Sequence, residues 1–267
     1  MAIKFIDVNY KDIFNNLNFE IRNKQITSIV GKSGSGKTSL MNLIFGLDLN
    51  FEGKITVNKR NIESKTKQKQ LEIIRKDIFY IWQDYYKQLF NVNVLEDMRY
   101  GVSKLDSNKL EELLKAFNLN NEILTKNYFE LSAGEVQKIL IITMFIRDNK
   151  IILLDDPTSN LDQKSVSTLI KLLKKEKRNG KIIIVISQDS EFLLNITDRI
   201  IALDNGNIIE QDNKYDFFCS QVVLDKCGLV MPNTLQFREN VLKTKNIKLI
   251  YRENISDLIK DIYRNAK

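Results

Sequence analysis

The stretch ITSIVGKSGSGKTSLMNLIF, Ile26 to Phe45, decides the fold. It opens on a continuous apolar run, Ile26 to Val30, of the kind found in a strand buried on both faces of a parallel sheet. It then enters GKSGSGKT, Gly31 to Thr38, and continues with Leu40, Met41, Leu43, Ile44 and Leu47 at helical spacing. Gly31 to Thr38 fits G-x-x-x-x-G-K-[ST] in the strand, loop and helix context that gives the pattern its meaning. Glycines let successive backbone N–H groups wrap phosphate oxygens at the positive end of a helix, the Lys reaches the β and γ phosphates, and the hydroxyl holds Mg²⁺. The candidate nucleotide-binding residues are therefore Gly31, Ser33, Gly34, Ser35, Gly36, Lys37, Thr38 and Ser39, with Thr38 also a metal ligand. A purely structural Gly-rich turn is the competing reading, and the flanking strand and helix count against it.

Working outward, Ile3 to Val8 and Leu17 to Ile21 alternate apolar and polar residues and predict an antiparallel start. Ile55 to Val57 and Phe79 to Trp82 read as strands, separated by ESKTKQKQ, Glu63 to Gln70, which reads as a solvated loop. From Tyr85 to about Arg147 the pattern turns helical, notably at Leu110 to Phe117 and Val136 to Ile146. Ile151 to Leu154 and Ile182 to Ile186 are further buried parallel strands around a helix at about Val166 to Lys177. Asn205-Gly206 between Ile200 to Leu203 and Ile208 to Glu210 signals a hairpin. From Tyr215 to Lys267, helix-like and strand-like pieces alternate without a phosphate motif.

Composition narrows the chemistry. The chain has 267 residues and no His, which removes serine-type triads, imidazole acid–base catalysis and His-ligated metals. Cys219 and Cys227 match no zinc or redox spacing and are expected to be plain reduced thiols. The net charge of +7 comes from scattered Lys residues rather than from one stripe, so no nucleic-acid partner is expected. The longest apolar runs fall short of the roughly 18 residues that span a bilayer, and the first ten residues lack the apolar segment of a secretory signal. A cytoplasmic chain is expected.

Two more segments carry chemistry. IILLDD ends a buried strand in Asp155 and Asp156. Beside a phosphate loop, the first carboxylate completes the Mg²⁺ shell and the second faces the attacking water; the pair would also serve as a helix-start cap for Pro157 onward. LSAGE, Leu131 to Glu135, precedes the helix from Val136. Ser132 and Glu135 form an S-x-x-E capping box, and the same cap exposes N–H groups able to grip a γ-phosphate presented by another subunit.

GKSGSGKT, Gln83 after a strand, LSAGE, IILLDD and SNLD (Ser159 to Asp162), in this order and spacing, resemble the ATPase subunit of ABC transporters over about residues 1–211. The resemblance implies an α/β fold: a P-loop NTPase ABC cassette with a RecA-like core, an antiparallel β subdomain and an inserted α-helical subdomain at about 85–148. A small α+β extension would follow at 212–267. It also implies two cassettes, identical or not, that sandwich two ATP molecules head to tail, each phosphate loop facing the other chain's Ser132 and Gly134. By position, Tyr10 would stack on adenine, Gln83 would sense Mg²⁺ and couple to the membrane subunit, and Ser159 to Asp162 would cross the dimer interface.

QDYYKQLFNVNVLEDMRYG, Gln83 to Gly101, and the tail from Cys227 to Tyr263, with its Gly-Leu, Pro and two helices, are similar to the energy-coupling factor transporter ATPases. That similarity implies a transmembrane coupling protein, a separate substrate-binding membrane subunit, a vitamin or metal-ion cargo, and a place on the cytoplasmic face of the membrane. Three departures stand out. Asp156 replaces the catalytic Glu and is one methylene shorter, Gln188 replaces the switch His, and Ala133 and Glu135 replace Gly and Gln in the signature. With Asp156, Gln188 and Gln83 as its catalytic set, the chain's own site is expected to bind Mg-ATP well and hydrolyse it slowly. The alternatives are an ATP-dependent clamp without turnover and the ATPase of another ABC transporter class.

Overall fold

The computed structural model describes residues 1–100, 102, 105–204, 206–211, 214–245 and 259–260. Four strands, β1 (Ala2–Tyr10), β2 (Phe14–Arg22), β4 (Glu52–Val57) and β5 (Arg60–Ile62), form an antiparallel sheet in the order β2-β1-β4-β5. The second sheet has six strands in the order β10-β9-β3-β8-β7-β6: β3 (Ile26–Val30), β6 (Ile78–Ile81), β7 (Ile151–Asp155), β8 (Ile182–Ile186), β9 (Arg199–Asp204) and β10 (Asn207–Gln211). All its pairings are parallel except β9 with β10. Every residue of β3, β6, β7 and β8 is buried, which is why these strands read as unbroken apolar runs.

The two faces of this sheet serve two cores. Ile151, Leu153, Ile182 and Ile184 pack with α1 (Lys37–Phe45) and the antiparallel sheet, in a cluster that holds Leu40, Met41, Phe5 and Ile55. Ile152, Leu154, Ile183 and Val185 pack on the opposite side with Val136, Ile139 and Ile142 of α5 (Ala133–Arg147). Strand alternation thus clamps the sheet between β and α layers, leaving the C-terminal ends of β3, β7 and β8 to meet loops rather than helices.

The other helices are α2 (Gln68–Arg75), α3 (Val94–Arg99), α4 (Ser107–Ala116), α6 (Gln163–Arg178), α7 (Ser190–Ile196), α8 (Lys214–Cys219), α9 (Gln221–Cys227) and α10 (Asn233–Lys245). No helix among the described residues is long and apolar enough to cross a membrane. The solvated loop expected over Glu63 to Gln70 ends at Lys67, because Leu71 and Ile74 bury one side of α2 and draw Gln68 to Gln70 into its first turn. The segment from Tyr85 to Arg147 is helical in pieces, with 3₁₀ turns at Tyr85–Gln88, Asn121–Thr125 and Tyr128–Glu130 between the α-helices. β9 and β10 pair Asp204 with Asn207 across the expected hairpin; Asn205 itself lies outside the described residues. So does the strand-like piece expected beyond Lys245, and of the last helix expected there only Ile259 and Lys260 are described, both helical.

Candidate nucleotide site

The loop after β3, the ends of β7 and β8, and the segment after β6 enclose a cleft of about 660 Å³. It gathers Ser33, Gly34, Gly36, Lys37, Thr38, Ser39, Gln83, Asp155, Asp156 and Gln188, drawn from four separate parts of the sequence. Gly36 caps α1 at φ +97, and a Cβ there would sit 2.6 Å from Ile13 Cγ2. Only glycine fits this combination of left-handed backbone and close packing. The first turn of α1 carries no acidic side chain of its own, and the positive helix end borders the cleft.

Lys37 Nζ donates to the carbonyls of Gly31 at 2.6 Å and Lys32 at 2.8 Å. Its ammonium is therefore folded into the loop's own oxygens, a shell that phosphate oxygens would replace. Burial pulls its pKa down, partly offset by the charge of Asp155. Thr38 Oγ1 donates to Asp155 Oδ2 at 2.8 Å, tying the loop to the end of β7. Burial and the neighbouring Asp156 push the Asp155 carboxyl up. A hydroxyl, a carboxylate and the Gln83 amide oxygen on one cleft suit a hard divalent cation such as Mg²⁺.

Asp156 sits at φ +53, unusual for a residue with a Cβ. Its backbone is held on both sides: its N–H donates to Ile186 O at 2.9 Å, and its carbonyl accepts from Gln137 Nε2 at 3.3 Å and Ser159 Oγ at 3.2 Å. Burial and the nearby Asp189 raise the carboxyl's pKa, while a hydrogen bond from Ser187 opposes them. The side chain is thus fixed in the cleft, with its basicity raised.

The remaining expected residues fall elsewhere. Gly31 and Ser35 lie under the loop rather than on its open face. A Cβ at Gly31 would meet Leu203 O and Ser35 Oγ at 2.5 Å, and Ser35 Oγ is itself buried without a hydrogen-bond partner among the described residues. Ser132 and Gly134 lie at the N-terminus of α5, outside the cleft. Ser132 Oγ accepts from Glu135 N–H, while the Ser132 N–H and then its hydroxyl donate to Glu135 Oε2 and hold that carboxyl below the usual range.

Tyr10, expected to stack on adenine, lies in the β layer. It is only 5% exposed, its ring lies 6.2 Å from that of Phe14, and its hydroxyl donates to Asp48 Oδ2 at 2.7 Å. It is not among the residues that line the cleft, which include Ile13.

Several residues on the site were not anticipated. Gln137, 1% exposed, bridges Asp156 O to Asn160 N–H; a Gln next to Lys138 in the first turns of α5, just before the apolar run from Ile139, was the only local signal. Gly228, the left-handed cap of α9, lines the same cleft next to Lys32, and no local signal pointed to it.

A glycine cradle at a helix start, a folded-back ammonium and two strand-end carboxylates together define a phosphate-loop nucleotide-binding protein. The chain matches the ABC transporter family over residues 14–159, more than half its length, and belongs to that family. It is an ATPase of the ABC type, and its fold is the ABC cassette.

Among its relatives, the energy-coupling factor transporter ATP-binding protein EcfA2 of Staphylococcus epidermidis is 26% identical over 263 residues, covering 92% of each chain. EcfA2 of Streptococcus pyogenes is 29% identical over 233 residues, covering 85% of this chain and 83% of that one. Among solved structures, the dimeric post-hydrolysis state of the ATP-binding cassette MJ0796, bound to ADP and Pi, superposes with a TM-score of 0.69 at 26% identity; it covers 79% of this chain and 98% of that one. The structure of cbiO1 from Clostridium perfringens, part of the ABC transporter complex cbiONQ, gives 0.68 at 25% identity and covers 89% and 98%.

Proposed function

We propose that this chain is the ATP-binding and hydrolysing subunit of an energy-coupling factor transporter that imports a vitamin or metal-ion micronutrient. The observation that carries the nucleotide part is the convergence of Lys37, Thr38, Asp155 and Asp156 on one cleft. In this reading the N–H groups of residues 33–39 and Lys37 bind the triphosphate. Thr38, Asp155 and Gln83 hold Mg²⁺, which neutralises phosphate charge when bound. Asp156 takes the proton from the attacking water, and Gln188 donates a hydrogen bond to the γ-phosphate.

The narrower assignment rests on relatives matched along nearly the whole chain, including the extension after β10, and on the likeness to cbiO1. Residues 1–211 serve as the cassette, 85–148 as its helical arm and 212–267 as an extension. A second cassette, identical or paralogous, meets the α5 N-terminus, so that Ser132 and Gly134 complete the partner's phosphate site. ATP binding closes the pair and hydrolysis opens it.

The transmembrane coupling protein docks in the groove beside Gln83, which is lined by Leu47, Trp82, Phe90 and Tyr100. Phe90 is 76% exposed and Tyr100 65%, an apolar surface beside the very segment that carries Gln83. A separate membrane subunit binds the cargo, and the ATPase is thereby held at the cytoplasmic face of the membrane.

Calorimetry of the folded chain with Mg-ATP tests the core of this reading. Heat is expected from wild type and none from Lys37→Ala, and a silent wild type overturns it. A second reading, a clamp without turnover, is favoured by Asp156 and Gln188. Single-turnover hydrolysis in the assembled complex separates the two.

A further inference from the structure

Three segments that the sequence keeps far apart meet at one hydroxyl. Tyr85 follows Gln83 by two residues and is 6% exposed. Its hydroxyl donates to the carbonyl of Ala133 at 3.2 Å, within the first turn of α5, and accepts from Asn160 Nδ2 at 3.2 Å. Asn160 lies on the loop that follows Asp156. Its amide also reaches Ser159 Oγ, and its N–H donates to Gln137 Oε1 at 3.0 Å. Gln137 and Ser159 both end on the carbonyl of Asp156. An unbroken chain of hydrogen bonds therefore runs from the Gln83 segment, through the start of α5, to the residue at the end of β7.

We propose that Tyr85 is a positioning residue: through Asn160 and Ala133 its hydroxyl makes the Gln83 segment, the N-terminus of α5 and the 159–162 loop shift as one unit when nucleotide enters the cleft. Phenylalanine would fill the same space and free the Gln83 segment, while Gln137 and Lys138 still tie α5 to the 159–162 loop. Tyr85 does not line the cleft, so its effect passes through the groups it holds. Close packing reinforces the tie: a Cβ at Gly134 would lie 2.8 Å from Asn160 O, so the 159–162 loop has little room to slide over α5 on its own.

The chain carries a reporter for this motion. Its one tryptophan, Trp82, immediately precedes Gln83, and its buried Nε1 has no hydrogen-bond partner among the described residues. Its emission therefore follows changes in the packing of the segment. The inference rests on the nucleotide reading above, and Lys37→Ala separates the two.

Fluorescence of the full chain titrated with Mg-ATP, paired with calorimetry, is the test. Wild type is expected to change its Trp82 emission on binding, and Lys37→Ala to show neither heat nor change. Tyr85→Phe should bind with an affinity within about twofold of wild type, since the hydroxyl lies off the cleft, yet lose more than about half of the emission change. Asn160→Ala should produce the same loss, and the double variant no more than either alone, the signature of one shared path. Four results overturn the proposal: a Tyr85→Phe response equal to wild type, a loss explained by weakened binding, losses that add, or a wild type that binds without any emission change. A wild type that gives no heat at all removes the nucleotide reading first. Should Tyr85→Phe melt far below wild type, Asn160→Ala carries the same test.

Discussion

The hydroxyl of Thr38 donates to the carboxylate of Asp155 across 2.8 Å, joining the first turn of α1 to the end of a strand 117 residues later in the chain. Asp155 is 3% exposed, so this donor matters to a carboxylate that burial already disfavours. Thr38→Val keeps the shape and removes the donor, at a cost of about 1–3 kcal/mol to stability. Mg-ATP affinity should fall at least about tenfold, with a smaller change when EDTA removes the metal. Equal losses with and without Mg²⁺ would show that Thr38 serves the phosphates alone.

Asp156 acts as a base only when ionised, and burial with Asp189 nearby raises its pKa. Hydrolysis by the assembled complex should therefore decline, as pH falls, from a point above the ordinary Asp range. Asp156→Glu restores the missing methylene and should raise the rate by on the order of tenfold or more. A rate unchanged by that substitution removes the short base as the cause of slow turnover.

The same raised carboxyls bear on stability. Between the ordinary Asp value of 3.8 and the raised folded value, the native chain binds more protons than the unfolded one. Stability from these groups is therefore lost as pH rises through that window and is not regained at neutrality. Asp156→Asn should melt above wild type at pH 7, and the gap should close toward pH 3. A variant that melts lower at pH 7 would mean that the Ser187 bond outweighs burial.

Gly134→Ala sets two effects against each other. Alanine gains about 1 kcal/mol of helix propensity, but its Cβ would stand 2.8 Å from the backbone oxygen of Asn160. Backbone yields less readily than a side chain, and overpacking costs about 1–3 kcal/mol. A net loss is expected in urea denaturation, and a more stable variant would show that the 159–162 loop moves aside freely.

Tyr10→Phe deletes the hydroxyl that donates to Asp48 and should cost about 0.5–1.5 kcal/mol. ATP affinity should stay at the wild-type value by calorimetry, because the ring does not border the cleft. A clear drop in affinity would restore Tyr10 to the base site.

What the sequence revealed was whatever is local. The phosphate loop, the IILLDD strand end and the S-x-x-E cap each carry their chemistry within a few residues, and buried parallel strands announce themselves as apolar runs. Tyr10 is placed at the base by its position in the family pattern; around it β1 is irregular, since its register with β2 shifts between Phe5 and Val8 and again before Tyr10, and Asp7 and Lys11 take positive φ. The start of α2 was hidden because only Leu71 and Ile74 mark its buried side. The partners of Gln137 and Tyr85 have no local reading, since they come from loops that only the folded chain brings together.

Gly228 has a practical consequence. The turn that ends α9 stands against Lys32 and forms part of the rim where nucleotide would rest. Trimming the polypeptide after Gln211 thus strips away a piece of the binding surface along with the appended helices. Affinities measured on such a shortened protein would describe a wetter, wider berth than the one the whole molecule offers.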